Sequence, residues 1–156
     1  MLDVINDIKN SKEFQHSRKS MKIIFNDTTR EEYLVDADKG RIYQVIFNLV
    51  SNAVKFTEEG VITVSINTEK QSKKSKNDDE EQQQVIVLVK DTGIGIHPEM
   101  FTRLFMKFAS KSFEGTSLGL FVSKKIIEAH GGKIWAKNNN DNKEKGATFG
   151  FSLPLN

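Results

Sequence analysis

DKGRIYQVIFNLVSNAVKFT, Asp38 to Thr57, is the stretch on which the reading of this chain turns. At about 100° per residue, Ile42, Val45, Ile46, Leu49, Val50 and Ala53 gather into one broad apolar face of a helix. Gln44, Asn48, Asn52 and Lys55 stack into a narrow polar stripe, and Tyr43, Phe47, Val54 and Phe56 make most of the remaining circumference apolar. A solvated stripe is ordinarily Glu and Lys. Amides are poor helix formers and costly to bury unpaired, so this ladder is either aimed at a polar ligand or tied into a side-chain network inside the core. The rest of the chain has to decide between the two.

At 156 residues the chain is long enough for one domain with a proper core. Its hydrophobic fraction, 37%, is lowered by two polar loops. Twenty-three basic and 21 acidic residues leave a formal charge of +2, too balanced for nucleic acid or an anionic membrane as main partner. With no cysteine there is no disulfide, thiolate nucleophile or zinc–thiolate site, which suits a cytoplasmic location. No apolar run approaches the roughly 20 residues of a membrane span, and MLDVINDIKN lacks a signal-peptide core.

Outward from the central helix, Leu2, Ile5, Ile8 and Phe14 predict a short amphipathic helix over residues 2–14. MKIIF (21–25) and EYLVDA (32–37) flank a turn cluster and read as a hairpin leading into the Asp38 helix, which either Asp36 or Asp38 can cap. VITVSIN (61–67) alternates as a half-buried strand. EKQSKKSKNDDEEQQQ (69–84) has no apolar residue and reads as a mobile loop between paired strands. VIVLVKD (85–91) is a β-branched run of the kind found in a central strand covered on both faces. HPEMFTRLFMKF (97–108) predicts a helix opened by Pro98, and ASKSFEGTS (109–117) a small-residue loop. LGLFVSKKIIEAH (118–130) is a second amphipathic helix, capped by Thr116 or Ser117 and stopped by Gly131-Gly132. KIWAKN (133–138) and ATFGFSL (147–153) close the chain as a hairpin with Ala147, Phe149, Phe151 and Leu153 inward. The pattern is an α/β two-layer sandwich, helices packed on a mixed, largely antiparallel sheet.

Chemistry enters at the glycine-bearing breaks. Gly119 in a first helical turn costs about 1 kcal/mol relative to Ala, so something should approach the backbone there. A helix N-terminus with free N–H groups is an anion site, most often for phosphate. Asp91 ends a central strand, where open α/β sheets bind ligands, and its carboxylate can accept a hydrogen bond from an amino group such as that of adenine. Together with Asn52 and Lys55 these features favour a nucleotide site.

RIYQVIFNLVSNAVKFT resembles the N box, DTGIGI the first glycine box, LFMKF the F box and GTSLGLFVSKKIIEAHGGKIWA the second glycine box of sensor histidine kinases. The order and spacing resemble the catalytic and ATP-binding domain of that family, in the superfamily shared with gyrase and mismatch-repair ATPases. The resemblance implies a Bergerat fold holding ATP and Mg²⁺ between the Asp38 helix and a lid loop. By it, residues 21–156 form the ATP-binding domain and residues 1–20 a helical lead-in. It implies that Asn52 ligates Mg²⁺, a hard ion for which one amide oxygen suffices beside phosphate and water. Asn48 lies one turn earlier, and it and Lys55 take the catalytic positions near the phosphates, with Asp91 reading adenine. Gly93 and Gly95 match the first glycine pair; Gly115, Thr116, Ser117, Leu118, Gly119 and Leu120 span the second box, whose helix start faces the phosphates. Lys107 and Lys111 are the candidates for a lid charge on phosphate.

Ser117 departs from the family, standing where the second box carries its middle glycine, and the lid of about 109–114 is short. The family's phosphoacceptor is a histidine on a separate dimerisation domain. His16, His97 and His130 all lack its sequence setting, so the expectation is a catalytic domain whose partners are that dimerisation domain and a response regulator. The isolated domain is expected to be monomeric, with no nucleic-acid partner, and cytoplasmic whether or not its parent is membrane-anchored. The alternatives are a gyrase-like ATPase switch, whose relatives carry Glu where this chain has Asn48, and a nucleotide-binding module without catalysis.

Overall fold

The computed structural model describes residues 1–11, 20–27, 34–72, 81–107, 116–139 and 145–155; for Leu2, Asp27, Gln71, Ser72, Glu81, Thr116 and Ser117 it describes the backbone only. The elements in chain order are helix α1 (Leu2–Lys9), strand β1 (Met21–Asp27), helix α2 (Lys39–Phe56), β2 (Gly60–Ser72), β3 (Glu81–Asp91), a 3₁₀ turn (Pro98–Met100), α3 (Thr116–Ala129), β4 (Lys133–Asn138) and β5 (Ala147–Pro154). One five-stranded sheet runs in the order β1-β2-β3-β5-β4. β1 and β2 are parallel and every other pair is antiparallel.

The helices cover one face of this sheet. α2 buries Ile42, Val45, Ile46, Leu49, Val50 and Ala53, the face its periodicity predicts. From the sheet come Ile62, Val64 and Ile66, then Val85, Val87 and Val89, then Ala147, Phe149, Phe151 and Leu153, each set spaced by two. α1 adds Val4, Ile5 and Ile8 to the same core, and its Asp7 lies 3.0 Å from the Lys39 ammonium at the start of α2. α3 contributes Leu120, Ile126 and Ile127. No helix among the described residues is long and apolar enough to cross a membrane.

Several expectations are corrected. β1 does not form a hairpin with 32–37: residues 34–37 are outside any strand, 28–33 lie outside the described residues, and β1 pairs with β2 in parallel register from Met21↔Gly60 to Asp27↔Ile66. A parallel neighbour needs a long crossover, and α2 is that crossover. The apolar-free stretch 69–84 is not all loop, since β2 runs on to Ser72 and β3 starts at Glu81, with Glu69 opposite Gln84. The ladder there is carried by backbone hydrogen bonds, which need no apolar side chain; 73–80 lie outside the described residues. Helix 97–108 reduces to the 3₁₀ turn, followed by turns through Lys107 with i→i+3 bonds such as Met106 N–H to Arg103 C=O, and residue 108 lies outside the described residues. Among its described residues only Leu104 and Phe105 pack on the core, whereas a helix of this length would present a repeating row of inward residues, as α2 does from Ile42 to Ala53. The N-terminal helix ends at Lys9, with 12–19 outside the described residues. β3 is central, but helices cover only one of its faces. On the other, Leu88 and Trp135 close over Gly150, where a Cβ would meet both side chains at 2.7 Å.

Asp38 is the N-cap of α2, its carboxylate accepting from Arg41 N–H at 2.9 Å. Its own N–H donates to His130 Nε2 at 3.2 Å, while His130 Nδ1 is 2.7 Å from the Ile126 carbonyl. An Nε2 that accepts must be bare, so the proton sits on Nδ1 and is donated to Ile126. His130 thus terminates α3 and ties it to the start of α2. His130→Ala is expected to lower unfolding free energy by about 0.5–1.5 kcal/mol in denaturant titrations. A variant as stable as the parent chain would show that solvent replaces this link fully.

Candidate functional site

The amide stripe of α2 faces α3 and is half-buried, not solvated. Gln44 Oε1 accepts from the Arg41 guanidinium at 3.4 Å. Asn48 Nδ2 donates to the Gly119 carbonyl at 3.4 Å and to Ser123 Oγ at 3.3 Å. Ser123 is fully buried, and sequence reasoning passed over it as one more small helix residue. Asn48 therefore docks the first turn of α3 beside the stripe. One turn further, the Asn52 amide nitrogen is buried with no hydrogen-bond partner among the described residues. An orphaned amide of this kind costs free energy unless an oxygen-rich group arrives to meet it. Lys55 is exposed at the end of the stripe, its ammonium 5.8 Å from the Phe56 ring centroid.

The loop after β3 is joined to the end of the same helix. The Phe56 carbonyl accepts from Ile94 N–H at 3.3 Å. A Cβ on Gly93 would come within 2.2 Å of that carbonyl oxygen, so glycine at 93 is demanded by close backbone packing. At Gly119 the case differs. The nearest atoms to a Cβ there are those of the Asn48 amide at 3.6 Å or more, an ordinary contact, so packing among the described residues does not require glycine in that turn.

Asp91 is the buried acid of the site, 3% exposed. Its Oδ1 accepts from Gly93 N–H at 2.9 Å and from Ala147 N–H at 3.2 Å. Burial pushes its pKa above the ordinary carboxylate value, opposed by those two N–H groups, which stabilise the charged form. With Oδ1 held by two donors, the carboxylate is fixed in orientation. The site is further shaped by residues the motifs did not bring out, Asn138, Asn139 and Thr148 around the Asp91 loop. All lie far from Asp91 in sequence and carry no local pattern that would single them out.

Of the other candidate residues, Leu118 is 50% exposed, whereas Leu120 belongs to the core and can serve a ligand through its backbone only. α3 is described from Thr116, and because residue 115 and the side chains of Thr116 and Ser117 lie outside the described residues, so does the cap expected of either of them. Lys111 and Gly115 lie outside the described residues, as do the lid loop and His16. Lys107 is exposed in the turn before that gap. His97 caps the 3₁₀ turn, its Nδ1 accepting from Glu99 N–H at 3.4 Å.

The family described as histidine kinase-, DNA gyrase B- and HSP90-like ATPase matches residues 37–156. The sensory/regulatory protein RpfC of Xanthomonas campestris is 37% identical over 128 residues, 78% of this chain and 16% of its own. Sensor histidine kinase WalK of Bacillus subtilis is 34% identical over 142 residues, 86% of this chain and 21% of its own. The chain thus spans about a fifth or less of these curated relatives. Among solved structures, the nucleotide-free catalytic domain of histidine kinase ThkA superposes with a TM-score of 0.73 at 31% identity, over 98% of this chain and 92% of that one. Full-length ShkA in complex with AMPPNP superposes with a TM-score of 0.76 at 25% identity, over 98% of this chain and 29% of that one. A five-stranded mixed sheet under helices, an amide-striped helix beside a buried strand-end aspartate, and these similarities have one common reading: the chain belongs to the histidine kinase-, DNA gyrase B- and HSP90-like ATPase family, as a catalytic and ATP-binding domain of the sensor histidine kinase type with the Bergerat fold.

Proposed function

We propose that this chain binds Mg·ATP and donates its γ-phosphoryl to a histidine on the dimerisation domain of a two-component sensor kinase, which passes it to a response regulator. The observation that carries this reading is the buried Asp91 carboxylate at the end of β3, oriented by Gly93 and Ala147 N–H, in a loop that bonds the end of α2, the helix that carries the half-buried Asn48 and Asn52. Asp91 accepts the adenine amino group. Asn52, Lys55 and the first turn of α3 face the phosphates, the last as a positive dipole end.

Asn52 would hold Mg²⁺ through its side-chain oxygen, and the ion would supply charge neutralisation on the phosphates; the buried, partnerless nitrogen of the same amide is a donor and fits a phosphate oxygen beside the metal, and among the described residues there is no cluster of His, Asp or Glu to compete for a metal. The chain's own contribution is positioning: base, phosphates and water exclusion are fixed before an acceptor arrives. Asn48 favours the transferase over the gyrase-like ATPase. It is an amide, so it cannot take a proton from water, and its Nδ2 is engaged with Gly119 and Ser123.

The test is phosphoryl transfer with the purified chain. Mg·ATP should bind with very slow turnover and leave no stable phosphoryl group on His97 or His130, both of which make local hydrogen bonds. Adding a dimerisation domain in trans should yield an alkali-stable, acid-labile phosphohistidine on that domain. Robust turnover by the chain alone, abolished by Asn48→Ala, would establish the ATPase instead, and ATP binding without transfer to any acceptor domain a non-catalytic module.

A further inference from the structure

At the carboxyl end of β4, two consecutive asparagines reach away from their own strand. Asn138 meets the backbone of Ile96 twice: its Oδ1 accepts from Ile96 N–H at 2.7 Å and its Nδ2 donates to the Ile96 carbonyl at 2.8 Å. The side-chain amide thereby does for one residue what a neighbouring strand would do. Asn139 takes the other side of the loop. Its Nδ2 donates to the Asp91 carbonyl at 2.8 Å and to the Lys145 carbonyl at 3.3 Å, and its Oδ1 accepts from Thr148 Oγ1 at 2.6 Å. Its own N–H donates to the Gly146 carbonyl at 3.0 Å, closing the base of the β4–β5 hairpin against Asp91.

We propose that Asn138 and Asn139 are positioning residues for base recognition, a pair that grips the backbone on both sides of the Asp91 turn and thereby aims the Asp91 carboxylate. Resting on the nucleotide reading above, the inference adds which residues hold the base-reading acid to its angle. The loop from Thr92 to His97 contains no regular secondary structure, so its backbone groups need partners from outside. Asn138 supplies both partners of Ile96, and Oδ1 of the same residue would lie 3.1 Å from a Cβ on Gly95, so the side chain is seated directly against the glycine turn. Asn139 fixes the Asp91 main chain, from which the carboxylate projects, and the Ala147 N–H that binds that carboxylate lies in the hairpin whose base Asn139 closes. Neither asparagine has to touch the nucleotide.

A residue that aims the base-reading acid controls the discrimination between bases; a residue of general structural value lowers every affinity alike. The experiment measures, on the full chain, the dissociation constants of ATP, GTP and inorganic tripolyphosphate in the presence of Mg²⁺ for Asn138→Ala, Asn138→Asp and Asn139→Ala. Asn138→Asp keeps the side-chain volume and the acceptor for Ile96 N–H but replaces the donor with an oxygen facing the Ile96 carbonyl, so it covers the case in which the alanine variant fails to fold. Each variant is expected to weaken ATP about tenfold and to narrow the preference for ATP over GTP by a similar factor, with tripolyphosphate affinity unchanged within about twofold. An ATP-over-GTP ratio equal to that of the unsubstituted chain in the folded variants would overturn the inference alone. An unsubstituted chain that binds no ATP, or binds GTP equally well, would overturn the reading of Asp91 and the inference with it.

Discussion

Asp91→Asn is expected to weaken ATP binding by about 10- to 150-fold, the equivalent of 1.5–3 kcal/mol for a hydrogen bond to a charged group, without lowering the stability of the nucleotide-free chain. Both halves of this result follow from burial. The carboxylate is nearly sealed from water, and desolvation raises its pKa even against the two N–H groups that favour its charge. A carboxyl whose pKa is higher folded than unfolded contributes stability below its unfolded pKa and loses that contribution as pH rises through the folded value. At neutral pH the ionised Asp91 is therefore a cost to the empty fold. An asparagine oxygen can still accept from Gly93 and Ala147 N–H, so the substitution removes the charge and keeps the local bonds. Calorimetric titration with a non-hydrolysable ATP analogue, beside thermal unfolding, reads both quantities. The same linkage predicts that ATP affinity in the unsubstituted chain falls on acidification at a pH above the ordinary carboxylate range. Unchanged ATP affinity in Asp91→Asn would remove Asp91 from base recognition, and a large drop in melting temperature would show that its charge is needed by the fold.

Gly146→Ala is expected to cost about 2–6 kcal/mol of folding stability, and to abolish nucleotide binding in whatever fraction stays folded. Gly146 has φ +106°, where a side chain is strained by roughly 1–3 kcal/mol. A Cβ placed there would stand 2.0 Å from the Asp91 carbonyl oxygen and 2.8 Å from Thr92 Cα, and overpacking of this kind adds about 1–3 kcal/mol. The clash is of a Cβ, whose position no rotamer changes, against backbone atoms, so side-chain movement does not relieve it. Relief requires the β4–β5 hairpin to lift off the end of β3, which withdraws Ala147 N–H from the Asp91 carboxylate and Asn139 from the Asp91 carbonyl. Chemical denaturation reads the stability, and Mg·ATP titration of the folded fraction reads the site. Against a typical domain stability of about 5–15 kcal/mol, a loss of this size is plain in a single melt. Full stability in Gly146→Ala would mean that the hairpin base is not held as tightly as its contacts imply.

The short elements that pack on the core were legible because their information is local. The buried face of α2 and the inward residues of β5 follow from periods of 3.6 and 2, which a chain carries wherever it folds. That Asp91 and the asparagines of α2 stand out as residue types in largely apolar elements was likewise legible, and the structure finds the acid buried and both asparagines half-buried. The tertiary structure alone decided which strand β1 would join, because pairing is a choice among distant partners that no local pattern encodes, and a crossover through α2 makes the parallel choice available. It also decided that 98–107 would be a chain of turns, because only two adjacent side chains reach the core there, and that the β2–β3 ladder would outrun its apolar residues. The surroundings of Asp91 belong to the same class. Asn138 reaches Ile96 across 42 positions, Asn139 reaches Asp91 across 48 and Ala147 across 56, so the sequence by itself determined which acid is buried, and only the packing of one hairpin on the end of β3 decided what holds it in place.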